Sequence, residues 1–103
     1  MSQKVYTLDE IKAILASILE NEPVYKVVLF GSYVKEGANE KSDLDFVIDT
    51  KNTLKGFKFF GLIDKIEDKF NKPVDAFEKA QIIKNSKIDK EIQETGVVVY
   101  ERK

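Results

Sequence analysis

A chain of 103 residues with a formal net charge of −1 is long enough for one hydrophobic core but too short for a core plus a separate functional lobe. It contains 43% apolar and 34% charged residues, as globular domains do, and no apolar run approaches the ~18 residues of a membrane span. Cys and His are absent, which excludes disulfides, zinc sites built from thiolates or imidazoles, and catalysis by histidine.

Charge and composition also limit the partners and cofactors. Positive and negative residues are interleaved and only one of the 17 basic residues is an arginine, so we expect no direct binding of nucleic acid. Residues 1–20 lack the uninterrupted apolar block of a signal peptide, and we expect a cytoplasmic protein made of a single domain, residues 1–103. Since only oxygen ligands are available, a catalytic metal should be Mg²⁺ or Mn²⁺.

The first half of the chain predicts a helix followed by two strands. Thr7 and Glu10 form a capping-box pattern at the start of a helix that Pro23 ends. The apolar run at residues 25–30 is typical of a buried strand. From residue 43 the pattern alternates, so one face of the second strand is apolar and the other partly acidic. The apolar face carries Leu44, Phe46 and Ile48, and the other face carries Asp43, Asp45, Val47 and Asp49.

The second half predicts two more helices and two more strands. Apolar residues recur at helical spacing from Phe59 to Phe70, and we assign Phe59 and Phe60 to the core-facing stripe of this helix. A short strand is expected at 74–77, a helical stretch carrying Ile82, Ile83, Ile88 and Ile92 after it, and a last strand at 97–100. This order indicates an α/β (α+β) domain with a small mixed sheet of about four strands and helices packed on it.

Two aspartates at one end of the second strand are the first candidate site. Ionised aspartates are poorly suited to a strand interior, so Asp43 and Asp45 on one face need an explanation. Asp43 could cap the preceding loop and Asp45 could simply be solvated. Alternatively, their spacing aims both carboxylates at one point, about 7 Å apart along the strand, which suits ligation of one or two divalent ions.

A Gly-Ser pair directly after the first strand favours the functional alternative. Gly31 allows a ligand to approach the backbone closely, and Ser32 offers a hydroxyl and a backbone donor. A short helical turn at 33–36 would point free N–H groups at the same place, which favours a triphosphate. Ser42 could also contact a nucleotide, although its position before Asp43 equally suits a loop cap.

The segment "GSYVKEGANEKSDLD" resembles the signature of the nucleotidyltransferases related to DNA polymerase beta. The signature is a Gly-Ser pair, ten residues and Asp-x-Asp after a strand. The short chain resembles the minimal nucleotidyltransferases, which are antitoxins found beside HEPN-domain toxins. This resemblance implies a third carboxylate on a later strand, and the matching position is Asp75 in "KPVDAF".

The resemblance also implies a reaction. Asp43, Asp45 and Asp75 would bind Mg²⁺ (or Mn²⁺), Asp75 would be the general base, and Gly31, Ser32, Lys35 and Ser42 would contact ATP. AMP would pass from ATP to a hydroxyl, that of a tyrosine, of a HEPN-type toxin, which the chain would silence as an antitoxin.

Two alternatives stay open at this stage. Family members often have a small residue, Arg and Gly where this chain has Val34, Lys35 and Glu36. Lys35 lacks the bidentate fork of arginine, and Glu36 places a negative charge near the phosphates. The chain could therefore be a weak or inactive transferase that neutralises its toxin by binding. It could also adenylylate a small molecule, such as an aminoglycoside, although those enzymes usually carry a further domain.

Overall fold

The structure, a computed structural model, describes residues 5–35 and 43–102. Within these ranges the helices are α1 (Leu8–Leu19), α2 (Ser32–Lys35), α3 (Phe57–Phe70) and α4 (Lys87–Thr95), with a short 3₁₀ helix at Lys79–Gln81. The strands are β1 (Lys26–Phe30), β2 (Leu44–Asp49), β3 (Val74–Glu78) and β4 (Val97–Glu101). None of the described helices is both long and apolar enough to cross a bilayer.

The four strands form one mixed sheet in the order β3-β2-β1-β4. Strand β1 is antiparallel to both of its neighbours, β2 and β4. Strands β2 and β3 are parallel, because α3 carries the chain back across the sheet between them. The predicted class, a small mixed sheet of about four strands with helices packed on it, is confirmed.

The main core lies between one face of the sheet and the helices α1 and α3. Leu44, Phe46 and Ile48 of β2 are fully buried there, as their alternation predicts. The helices contribute Ile11, Leu15, Leu19, Phe59, Leu62, Ile66 and Phe70. The opposite face of the sheet carries Asp45, Val47 and Asp49, and α4 packs against it, with Gly96 at its end close to Val28. The acidic face of β2 is therefore separate from the main core.

The predicted helix ends are largely confirmed. Thr7 and Glu10 form the complete capping box, in which each side chain accepts a hydrogen bond from the other residue's backbone N–H. Helix α3 ends before Asn71, whose left-handed backbone conformation (φ 53°) closes the helix two residues before Pro73. The position of Pro73 then fixes the start of β3.

Two predictions about apolar residues were wrong. Ile82 and Ile83 lie before α4 and not within it, because Ser86 caps a helix that begins only at Lys87. Phe60 does not face the core: its side chain is 63% exposed, and Leu62 takes the buried position. The stripe follows Phe59, Leu62, Ile66 and Phe70, and Phe60 lies outside it, about 100° around the helix from Phe59.

Two phenylalanines in opposite environments test this account of the core. Phe46 is fully buried, so Phe46→Ala should lower the free energy of unfolding by about 3–5 kcal/mol through lost burial and a residual cavity. Phe57 is 94% exposed, and Phe57→Ala should change the free energy of unfolding by less than about 0.5 kcal/mol. Denaturant titration of both variants measures the difference, and equal effects would contradict the assigned core.

Candidate active site

The parallel pairing of β2 and β3 places two of the predicted site carboxylates side by side. Asp45 is the direct partner of Asp75 in the strand register, and on its other side Asp45 pairs with Phe30, the last residue of β1. Asp43 is exposed and immediately precedes β2. The sequence predicts this juxtaposition if the second and third strands are neighbours, which they are.

Asp45 lies at the centre of a concentration of negative charge. The pKa of Asp45 is raised to about 6 from an ordinary value of 3.8. Burial is the largest cause, and repulsion from Asp75, Asp43 and Glu91 and a hydrogen bond with Asp75 add to it. Asp75 is exposed, so the pair opens to solvent on the β3 side. A carboxyl whose pKa is raised beside a second carboxylate favours the binding of a cation or a proton over an empty state.

Gly31 forms the wall of this site next to Asp45. Its φ of +84° is in the left-handed region, and a Cβ atom built there would lie 2.6 Å from Oδ2 of Asp45 and 3.4 Å from Oε1 of Glu91. A side chain would therefore clash with the Asp45 carboxylate as well as strain the backbone. The backbone N–H of Gly31 donates to Oγ1 of Thr95 at 2.9 Å, so this N–H is already satisfied within the protein.

Helix α4 contributes two residues that the sequence analysis missed. Thr95 accepts the hydrogen bond from Gly31 and donates its own hydroxyl to the backbone oxygen of Glu91 at 2.8 Å. Glu91, one turn earlier, brings a further carboxylate towards Asp45. No local sequence pattern predicts that either residue belongs to the site, because each reaches it only through the packing of α4 next to β1.

A buried lysine lies at the same end of the sheet. Lys72 is only 6% exposed, and its ammonium has no hydrogen-bond partner among the described residues. Burial lowers the pKa of Lys72, whereas the charge of Asp43 opposes that shift. Its Nζ lies 5.3 Å from the ring centroid of Tyr33. Tyr33 in turn accepts the backbone N–H of Tyr6 and donates to its backbone oxygen, which ties α2 to the start of α1.

The remaining predicted nucleotide-binding residues are described less fully. Ser32 and Lys35 are the first and last residues of α2, so the predicted short helical turn directly follows Gly31. Ser42 and Glu36 lie outside the described residues. The structure thus assembles Gly31, Asp45 and Asp75, with Asp43 and the start of α2 adjoining them.

The donor set fits a hard divalent cation at the Asp45–Asp75 pair. No three acidic side chains of the described ranges are already close enough together to enclose one ion. The pair itself supplies carboxylate oxygens, the ligands that Mg²⁺ and Mn²⁺ prefer, and a bound cation would offset the burial and the repulsion that raise the pKa of Asp45. Asp43 is the nearest further carboxylate along β2.

Comparison with known proteins identifies the family. The family described as "Polymerase beta, Nucleotidyltransferase" matches residues 10–103. This chain belongs to the polymerase beta-type nucleotidyltransferases. The matched range contains every residue of the candidate site, and the family membership agrees with the resemblance of the Gly-Ser and Asp-x-Asp segment.

Relatives in Methanocaldococcus jannaschii carry a more specific description. One, named "Putative protein adenylyltransferase MJ0128", is 36% identical over 97 residues, which cover 90% of this chain and 98% of the relative. A second, with the same description and the designation MJ1215, is 36% identical over 86 residues, 80% of this chain and the whole of the relative. Both names agree with assignment of the chain as a nucleotidyltransferase.

Solved structures share the fold at low sequence identity. A toxin–antitoxin crystal structure with AMP-PNP superposes with a TM-score of 0.72 at 17% identity, covering 89% of this chain and 74% of the other. A chain from the complex of a tri-AMPylated Shewanella oneidensis HEPN toxin with its MNT antitoxin gives 0.70 at 15% identity, covering 93% and 74%. These superpositions support the polymerase beta-type nucleotidyltransferase fold.

Two glycines form a matched pair that tests the wall of the site. Gly31→Ala should lower the free energy of unfolding by about 1–2 kcal/mol or more, because Ala disfavours the left-handed backbone and its Cβ clashes with Asp45. Gly61 lies within α3, and a methyl group placed on its Cα would meet no other atom within 4 Å, so Gly61→Ala should raise the free energy of unfolding by about 0.5–1 kcal/mol. Urea unfolding distinguishes the two, and a Gly31→Ala variant as stable as wild type would contradict the assigned geometry.

The raised pKa of Asp45 predicts an unusual pH dependence of stability. Between 3.8 and about 6 the folded state binds more protons at this carboxyl than the unfolded state, so its contribution to stability falls as pH rises. Without added divalent cation, Asp45→Asn should remove this slope and stabilise the protein at pH 7, by on the order of 1 kcal/mol. Asp64→Asn, on the exposed surface of α3, should keep the slope. Thermal unfolding at several pH values measures both variants, and a destabilised Asp45→Asn protein at pH 7 would contradict the expectation.

Proposed function

We propose that this chain is a Mg²⁺-dependent nucleotidyltransferase that transfers AMP from ATP to a tyrosine hydroxyl of a HEPN-type toxin and thereby acts as an antitoxin. Three observations support it. Family membership supports the reaction class, and the names of the archaeal relatives support a protein acceptor. The structural neighbours with AMP-PNP and with a tri-AMPylated HEPN toxin support the nucleotide and the kind of acceptor.

The observation that carries the proposal is the pairing of Asp45 with Asp75 beside a glycine that has no room for a side chain. A paired carboxylate site costs stability, since its charges repel, and such a cost is expected where a cation is bound. Helix α2 begins directly after Gly31, so a polyphosphate held at these carboxylates would lie next to the start of α2.

In this mechanism the protein holds and orients the reactants. Asp43, Asp45 and Asp75 would hold Mg²⁺, which would neutralise charge on the triphosphate and make the acceptor hydroxyl more acidic. Asp75, which is exposed, would take the proton from that hydroxyl. The acceptor oxygen then forms a bond to the α-phosphorus while the bond between this phosphorus and the bridging oxygen breaks, and pyrophosphate leaves. Gly31, Ser32, Lys35 and Ser42 would contact the nucleotide.

Transfer from α-³²P-ATP tests the proposal. With Mg²⁺ and lysate of the source cells, or a purified HEPN-type toxin, wild-type protein should label one protein band, and mass spectrometry should place AMP on tyrosine. Asp43→Asn and Asp45→Asn should each lower the rate by at least about 100-fold, because each removes a metal ligand. Asp64→Asn, on the exposed surface of α3, should transfer at the wild-type rate.

The same experiment separates the proposal from its alternative. Equal labelling by wild type and both aspartate variants would contradict transfer at these aspartates, and no labelling by folded wild-type protein would contradict transfer itself. Co-purification of an unlabelled toxin with all variants would then favour an antitoxin that acts by binding alone. Labelling of a small hydroxylated molecule in place of a protein would identify a different acceptor class.

A further inference from the structure

An apolar groove lies on the surface beside the candidate active site. It encloses about 640 Å³ between the start of α3, strand β3 and the segment that leads into α4. Its apolar lining includes Leu54, Phe59, Phe60, Ile82, Ile83 and Ile88. Phe57, which is 94% exposed, lies one helical turn from Phe60 at the start of α3.

The exposure of these side chains is unusual for a small protein. Phe60 is 63% exposed, Ile83 is 75% exposed and Ile88 is 37% exposed. Scattered single apolar residues are normal on a surface, but a cluster of large ones around a concave surface marks a binding site. Their exposure also explains why the periodicity misplaced Phe60 and Ile83: both are apolar without being part of the core.

The charges at the groove indicate the chemistry of its occupant. Lys55 and Lys87 lie among the lining residues. The groove also includes Glu78, but this carboxylate is 6% exposed and accepts hydrogen bonds from Thr50 and from the backbone N–H of Ala80. The charge available to an occupant is therefore positive, which complements an apolar segment with acidic residues beside it.

The groove and the candidate site lie next to each other along β3. Ala76, Phe77 and Glu78 line the groove, and Asp75 is the residue before them on the same strand. Because side chains alternate along a strand, Phe77 is the groove residue that shares a face with Asp75, and the two are about 7 Å apart along β3. Strand β3 is also the outer strand of the sheet, so a protein bound in the groove would lie next to Asp75 on its open side.

We propose that this groove is the docking surface for the acceptor protein, which inserts an apolar segment flanked by acidic residues. The inference rests on the proposed function, since it assigns the surface through which the acceptor is held. A transferase domain of this size needs binding energy from outside the reacting centre, and a cluster of exposed aromatic and aliphatic side chains next to that centre supplies it. Docking there would bring the acceptor hydroxyl to Asp75.

The test uses a variant of the groove and a matched control on another surface. Phe60→Ser with Ile83→Ser removes two exposed groove side chains, and both should be tolerated by the fold. Val98→Thr, on the exposed side of β4, changes an apolar side chain that is 40% exposed and far from the groove in the sheet order. Circular dichroism and thermal unfolding confirm that all the proteins are folded.

Binding and transfer are then measured separately with a purified HEPN-type toxin. Calorimetry in an Asp45→Asn background, which does not depend on transfer, should show at least about 10-fold weaker binding for the groove variant and unchanged binding for Val98→Thr. In the active background the groove variant should raise KM for the acceptor protein by a similar factor and leave KM for ATP and kcat at saturating acceptor unchanged.

The possible outcomes separate this inference from the proposed function. Wild-type affinity in the groove variant, or no binding of the toxin by any variant, would overturn the docking surface. Loss of binding in the groove variant without any AMP transfer by wild type would support the surface and overturn the transferase proposal. A wild-type dimer in sedimentation that the groove variant dissociates would show that a second copy occupies the groove, and would overturn the inference.

Discussion

The parallel pairing of β2 with β3 is the constraint on which the site depends. It sets Asp45 directly beside Asp75, although the two residues are 30 positions apart in the sequence. A shift of one residue in this register would turn one carboxylate to the opposite face of the sheet. The register is held by the core-facing residues Leu44, Phe46 and Val74, so the same apolar packing that stabilises the domain also assembles the charged pair.

The sequence predicts most of the fold because its signals are local. Three signals each act within a few residues, and the structure shows all of them: the Thr7–Glu10 capping box, the alternation of β2 and the end of α3 before Pro73. The failures concern apolar residues that are not in the core. Periodicity reports that Phe60 and Ile83 are hydrophobic, but it cannot distinguish a side chain buried against the sheet from one exposed beside a groove.

The site is predictable only in part. The carboxylates of β2 and β3 could be proposed from the strand pattern and the family resemblance, because strand parity fixes the face of each side chain. Glu91 and Thr95 could not, since they reach Gly31 and Asp45 only through the docking of α4. The burial of Lys72 could not be predicted either. A lysine before a proline is expected in solvent, yet its ammonium is buried near Tyr33 and Asp43.

The central claim is that the Asp45–Asp75 pair, with Asp43, binds the catalytic metal next to the nucleotide. A crystal structure with Mn²⁺ and a non-hydrolysable ATP analogue tests it most directly, because Mn²⁺ is located by its anomalous scattering. The account predicts an anomalous peak at carboxylate oxygens of Asp45 and at least one of Asp43 and Asp75, in contact with the triphosphate, with the phosphates next to Gly31. Nucleotide bound elsewhere, or an occupied nucleotide site with no metal at these aspartates, would contradict it.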